Sequence, residues 1–247
     1  MTIPIDSMSL ALAFASAFVL GISKSGVKGL GIFVVTLMAV AFDSKASTGI
    51  LMPMLIAGDI FAVLYYKRHV MWSLLWKLLP AMAVGVLIGV VVGKNMDEVI
   101  FKKAMSAIIL VSVVIMYWWE NKKSAYIPES NIFGISMGLA AGFTTMIGNL
   151  AGAFSNIFFI AMKVDKNQFI GTAAYLFFII NLFKLPFHIF YWQTISVQSL
   201  TINLYLIPAI AAGILVGVNL LKRINTEVFR KMILILTAIG AVIILLK

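Results

Sequence analysis

The chain has 247 residues, 62% of them hydrophobic and 11% charged, with 19 Lys and Arg against 9 Asp and Glu and no cysteine. Soluble domains run at roughly 45 to 50% apolar and 25% charged, so this composition excludes a soluble globular protein and implies a polytopic membrane protein with almost no domain outside the bilayer. Missing cysteine excludes disulfides, thiolate nucleophiles and Cys-ligated metals, and Lys and Arg collect in short connections between apolar runs, as membrane orientation demands, which argues against nucleic acid as a partner.

Asp6 precedes the first apolar run and no basic leader stands before it, so that run reads as part of the mature protein. Apolar segments are predicted at about 8–22, 30–42, 48–66, 73–93 and 101–119. The stretch from Leu20 to Gly31, LGISKSGVKGLG, sets Lys24, Ser25, Lys28 and three glycines between two runs that are both short of the roughly 20 residues a hydrocarbon core of about 30 Å requires. The chain is therefore expected to enter the membrane, unwind and turn there. Broken backbone at membrane depth is tolerated only where protein or a watery cavity satisfies it, and half-helix N-termini at that depth attract anions.

From Glu120 to Asn131 the chain reads ENKKSAYIPESN, the longest hydrophilic stretch, expected to link two halves. Beyond it the series resumes at about 132–147, 150–162, 168–191, 198–221 and 228–246. Each half thus has two short segments and then three long ones. The halves also match by residue, the test for an internal repeat. Pro80-Ala81-x-Ala83-x-Gly85-x-Leu87-x-Gly89-Val90 aligns with Pro208-Ala209-x-Ala211-x-Gly213-x-Leu215-x-Gly217-Val218 without a gap, and Phe101-Lys102-Lys103 falls on Phe229-Arg230-Lys231. With a small change of offset Asp43 meets Asp165, Gly49 meets Gly171 and Asp59 meets Asn181, and one further slip sets Gly21 on Gly142.

The expected fold is all-α and polytopic, with repeats at 1–119 and 132–247 joined by a polar linker at 120–131. Each repeat carries a pair of short broken or re-entrant helices and three transmembrane helices. If each short pair dips in and returns, or crosses twice, each half has an odd number of net crossings and the repeats are inverted. Met8 to Phe42 as one helix would be about 50 Å long, too long for one crossing, so the returning arrangement is chosen, with both termini outside. The connections near Lys67 and Arg68, Lys122 and Lys123, Lys163 and Lys166, and Lys222 to Lys231 then share one face, with ten Lys or Arg against five opposite. The positive-inside rule makes that face cytoplasmic.

Several residues are candidates for the site. Lys24 and Lys28 can offer charge to an anion beside amides that Gly26, Gly29 and Gly31 leave accessible, or snorkel to an interface. Asp59 lies inside an apolar run, where a charge costs at least about 2.5 kcal/mol, so it must be paired, protonated or facing water. Its repeat mate Asn181 stands three residues before Lys184, on one helical face, which makes Lys184 a second candidate anion contact. Thr144, Thr145, Asn149 and Asn156 surround the second glycine-rich break, where uncharged donors suit an oxyanion that must also be released. Thr172, with Gly171 and Tyr175, opens the next helix and can cap the same cavity. His188 and Trp192 sit at a segment end beside Tyr191 and read as interfacial belt residues.

The runs GFTTMIGNLAG and KNQFIGTAAYLFFIINLFKLPF in the second half, with GISKSGVKGLG, LMPMLIAGDIFAVLYYKRH and LLPAMAVGVLIG in the first, resemble the TauE/SafE family of membrane permeases, also called sulfite exporters. The resemblance covers most of the chain and implies a duplicated multi-helix transporter of sulfur-containing anions such as sulfite, sulfonates, sulfoacetate or thiosulfate. Members of that family often carry proline after the glycine-rich break, where Val35, Thr36 or Ala153 stands here.

The expected function is secondary transport of a small anion by alternating access around a midplane site between the repeats. The expected substrate-binding residues are Lys24, Ser25, Lys28, Thr145, Asn149, Thr172, Asn181 and Lys184. The alternative is a proton- or cation-coupled carrier of another small solute, with Asp59 as the ion site. Partners are a small anionic substrate and the lipid bilayer, a homo-oligomer being left open; no cofactor, metal or catalytic residue is expected. His69 and His188 are poorly placed for an intramembrane enzyme, and there is no G-x-S-x-G element or nucleotide-binding loop. The expected location is the cell membrane, the plasma or inner membrane of a bacterium.

Overall fold

The computed structural model describes residues 6–25, 29–121, 130–162, 164–220 and 226–246. The described residues are almost entirely helical: α1 Ser7–Lys24, α2 Leu30–Ala41, α3 Ser44–Tyr66, α4 Trp72–Lys94, α5 Glu98–Asn121, α6 Asn131–Gly148, α7 Gly152–Ala161, α8 Lys166–Pro186, α9 Val197–Leu220 and α10 Thr226–Leu246. A single 3-10 turn, Lys67–His69, follows α3, and a π-helical turn, Phe187–Tyr191, follows α8. Seven helices among the described residues are long and apolar enough to span a bilayer, while α2 and α7 are shorter. The protein is a multi-pass membrane protein. Of the connection expected over 120–131, residues 122–129 lie outside the described ones.

Both short pairs are antiparallel hairpins. Asp6 starts α1 by accepting a hydrogen bond from the Ser9 N–H at 2.7 Å, and Ser130 starts α6 by accepting from the Phe133 N–H at 3.1 Å. The Ser9 hydroxyl then donates to the Ala41 carbonyl at 2.8 Å, tying the start of α1 to the end of α2. In the second pair Gly134, near the start of α6, lies against Phe158, near the end of α7; a Cβ at 134 would sit 3.3 Å from that ring. Each pair returns to the side it came from, which rules out one broken span and is compatible with inverted repeats.

The hairpins are held by glycine crossings that match between the two halves. A Cβ at Gly21 on α1 would lie 2.1 Å from the Ile210 carbonyl oxygen on α9, and one at Gly213 would lie 2.0 Å from that of Phe18. At the corresponding crossing, Gly142 on α6 would meet the Met82 carbonyl at 2.0 Å, and Gly85 on α4 that of Leu139 at 2.3 Å. Without a driving force from water, membrane helices associate through such close backbone contact. The side of α4 away from its glycines exposes Val84, Leu87, Ile88 and Val91, a face suited to lipid.

α3 and α8 run antiparallel through the centre. Gly171, near the start of α8, sits against His69 just beyond α3, and Gly49, near the start of α3, sits against the Thr194 backbone just beyond α8. At that second end the chain departs from the interfacial reading of His188 and Trp192, both of which are buried. Pro186 ends the regular helix, the π-turn folds the chain inward, and Trp192 donates its indole N–H to the Val90 carbonyl at 3.0 Å while its ring fills the space over Gly93. His188 bonds Thr194 through Nδ1 at 2.8 Å.

Candidate functional site

Both chain breaks fall at a shared cavity. α1 stops at Lys24, and α2 restarts from Gly29, whose φ of 90° is left-handed and favours glycine. α6 stops at Asn149, at φ 56° and ψ 31°, a left-handed cap that asparagine tolerates; its N–H bonds the Thr145 carbonyl at 2.9 Å. α2 and α7 then begin at Gly29 and Ala151, neither of which caps its helix with a side chain. Gly29 and Gly31 at the start of α2, and Ala151 and Gly152 at the start of α7, line a cavity of about 160 Å³ together with Ser23, Lys24, Asp59, Thr145, Asn149, Asn156 and Asn181. Cavities of about 150 Å³ admit a guest the size of benzene, so a small oxyanion fits. The other walls are largely apolar, including Leu20, Leu55, Met116, Phe169 and Phe177.

A buried polar network joins the hairpins through α3 and α8. The Lys24 ammonium pairs with Asp59 Oδ1, and the Asn181 amide donates to Asp59 Oδ2 at 2.7 Å. Asp59 is 0% exposed, whereas the Lys24 side chain keeps 13%. Of the three states open to a carboxylate at this depth, Asp59 is in the paired one. Gly58 makes room for the lysine, since a Cβ there would lie 3.0 Å from Lys24 Cγ, and the ammonium lies 5.7 Å from the centre of the Phe177 ring.

Lys184, also 0% exposed, faces the second hairpin. Its ammonium donates to Asn149 Oδ1 at 2.7 Å, Thr145 Oγ1 at 3.1 Å and Asn181 Oδ1 at 3.4 Å, which uses its three N–H donors. Asn149 in turn donates to the Thr48 carbonyl at 3.2 Å. The network therefore runs Lys24, Asp59, Asn181, Lys184, Asn149. With its ionisable groups charged, it holds two cations and one anion, an excess of one positive charge beside two helix N-termini.

Of the residues expected at the site, Lys24, Asp59, Thr145, Asn149 and Asn181 line the cavity, as does Asn156. Lys184 stands behind Asn149 and Asn181, and reaches the cavity through them. Ser25 and Thr172 are not brought in: the Ser25 hydroxyl donates to the Ile22 carbonyl at 2.7 Å, and Thr172 accepts from the Met71 N–H at 2.9 Å where α4 begins. Thr144 bonds within its own helix, to the Ala140 carbonyl at 2.7 Å. Lys28 and Gly26 lie outside the described residues. Three contributors escaped the reading of the sequence. Gly58 beside Asp59 was the visible signal for close approach; Phe177 carried none; and Tyr66, whose hydroxyl donates to the Ser25 carbonyl at 2.8 Å and holds the first hairpin tip, looked like one more aromatic at a helix end.

No curated protein and no solved structure matches this chain. A family model does, that of the sulfite exporter TauE/SafE, over residues 11–244, and that family consists of membrane transporters of sulfite-type anions, not enzymes. The match spans nearly the whole length, across both hairpins and the network between them, and the chain belongs to the sulfite exporter TauE/SafE family.

Proposed function

We propose that this protein is a secondary transporter that moves a small sulfur-containing oxyanion across the cell membrane by alternating access. The observation that carries the reading is the cavity where Lys24 and the starts of α2 and α7 converge, with Lys24 and Lys184 both bonded into a polar network that holds one carboxylate, Asp59. Helix N-termini and lysine favour anions for the same electrostatic reason, and apolar walls strengthen both. Both oxygens of Asp59 already accept from N–H donors, which favours the anion reading over a cation seat at Asp59.

In this reading residues 1–119 and 132–247 are inverted repeats joined over 120–131, with both termini outside. The cavity wall on α8 runs from Asn181 to Phe169, towards the end where Lys67 and Arg68 stand, the face that positive charge makes cytoplasmic. At the opposite end Gly49 against Thr194, and Trp192 over Gly93, form a seal. In this reading the protein stands in a state open to the cytoplasm.

The test is uptake of radiolabelled sulfite into proteoliposomes. Saturable uptake by the unaltered chain, lost in Lys24→Ala, is expected; equal flux in both would reject this site.

A further inference from the structure

Lys24 has two claims on it. It is the cation that lines the cavity beside Gly29 and Gly31, and it is the ion-pair partner of Asp59. While the pair stands, its charge is neutralised by the chain itself, so an anion arriving through the cavity meets a site already occupied by a carboxylate. Asp59 has a second anchor: Asn181 donates to its other oxygen, and the same amide accepts from Lys184. Two lysines share one carboxylate through an amide bridge.

We propose that the Asp59 carboxylate is a built-in competitor for the transported anion: the passenger takes Lys24 from it, and Asp59 falls back on Asn181 and Lys184. The inference rests on the anion-transport reading and deepens it, since it names the group that sets affinity and the kind of substrate head that can replace it, a compact oxyanion able to take the place of a carboxylate on one ammonium. Stripping a buried carboxylate of its only paired cation is strongly unfavourable; here Lys184, one helical turn from Asn181, is already linked to Asp59 through that amide and supplies the second cation. Exchanging one anion for another also keeps binding weak enough for release, a condition every permeation site must meet. The Lys24 stem lies against Gly58, and Lys24 and Asp59 both line the cavity, so the change of partner is local.

The test is calorimetric titration of sulfite into the full-length protein in detergent, unaltered and as Asp59→Asn, with Lys24→Met in each background. Removing the competitor is expected to tighten binding at least tenfold, and removing Lys24 to abolish it in both. Sulfite binding to Asp59→Asn alone also supports the proposal. Binding to the unaltered protein without a gain in a folded Asp59→Asn overturns the competition and leaves the anion site standing; no binding to either overturns both. In the unaltered chain, which has 9 Asp and Glu, sulfite is further expected to shift a carboxylate stretching band in the infrared difference spectrum. An unchanged carboxylate region overturns the competition even where Asp59→Asn fails to accumulate.

Discussion

The Lys184 ammonium lies 2.7 Å from Asn149 Oδ1, so a lysine in the last turn of α8 holds the left-handed residue that ends α6. A cation aimed at a hairpin tip acts on the shape of the tip, and through it on the cavity. Replacing Lys184 by alanine leaves Thr145, Asn149 and Asn181 without their shared donor in a buried site. Breaking a buried charged network costs about 3 to 5 kcal/mol, so Lys184→Ala is expected to lower the melting temperature in detergent as well as abolish sulfite uptake. Lys24→Ala removes a partly exposed residue at the cavity and is expected to lose uptake as well, while its fall in melting temperature measures the cost of leaving Asp59 unpaired.

The glycine crossings set a second expectation. At Gly213 an added Cβ would lie 2.0 Å from the Phe18 carbonyl oxygen, a backbone atom that cannot step aside. Gly213→Leu is therefore expected to yield no monodisperse protein, and so is Gly142→Leu at the matching crossing, whereas Gly31→Ala, with its nearest atom 4.0 Å away, is expected to fold. Size-exclusion profiles of detergent extracts compare the three.

Access to the cavity can be read chemically. The chain has no cysteine, so a single introduced thiol reports alone. Ile170→Cys and Asn156→Cys line the cavity and are expected to react with an impermeant maleimide in inside-out vesicles, and to be protected in right-side-out ones. Sulfite is expected to slow the reaction at Asn156→Cys.

Topology gives a fourth expectation. Hairpins that return, followed by three spans in each half, leave an even number of crossings in total. Reporters fused to the two termini are expected on the same side of the membrane, outside; opposite sides would contradict the inverted arrangement.

What the sequence disclosed was whatever depends on length or on glycine. Runs from Leu30 to Ala41 and from Gly152 to Ala161 are too short to span, and Gly29 marks where the first break needs positive φ, so both breaks were legible in the sequence, although at the second the left-handed residue is Asn149. The i, i+3 spacing of Asn181 and Lys184 also held, since the two side chains bond at 3.4 Å. What faces a residue from another helix was not legible. Asp59 required a partner, but nothing local names Lys24, 35 residues away and brought in by the space over Gly58. Thr172 stands where a cavity cap is plausible, yet its hydroxyl accepts from the Met71 N–H and ties α8 to the α3–α4 connection. His188 and Trp192 carried the composition of a membrane interface, and only the π-turn after Pro186 turns them into the core.

The most direct measurement is an experimental structure determined with sulfite bound. Density for the anion is expected within about 3 Å of Lys24 Nζ, against the first amides of α2, with Asp59 drawn towards Asn181 and Lys184. An anion held elsewhere, with the Lys24 and Asp59 pair intact and the starts of α2 and α7 empty, would contradict the account.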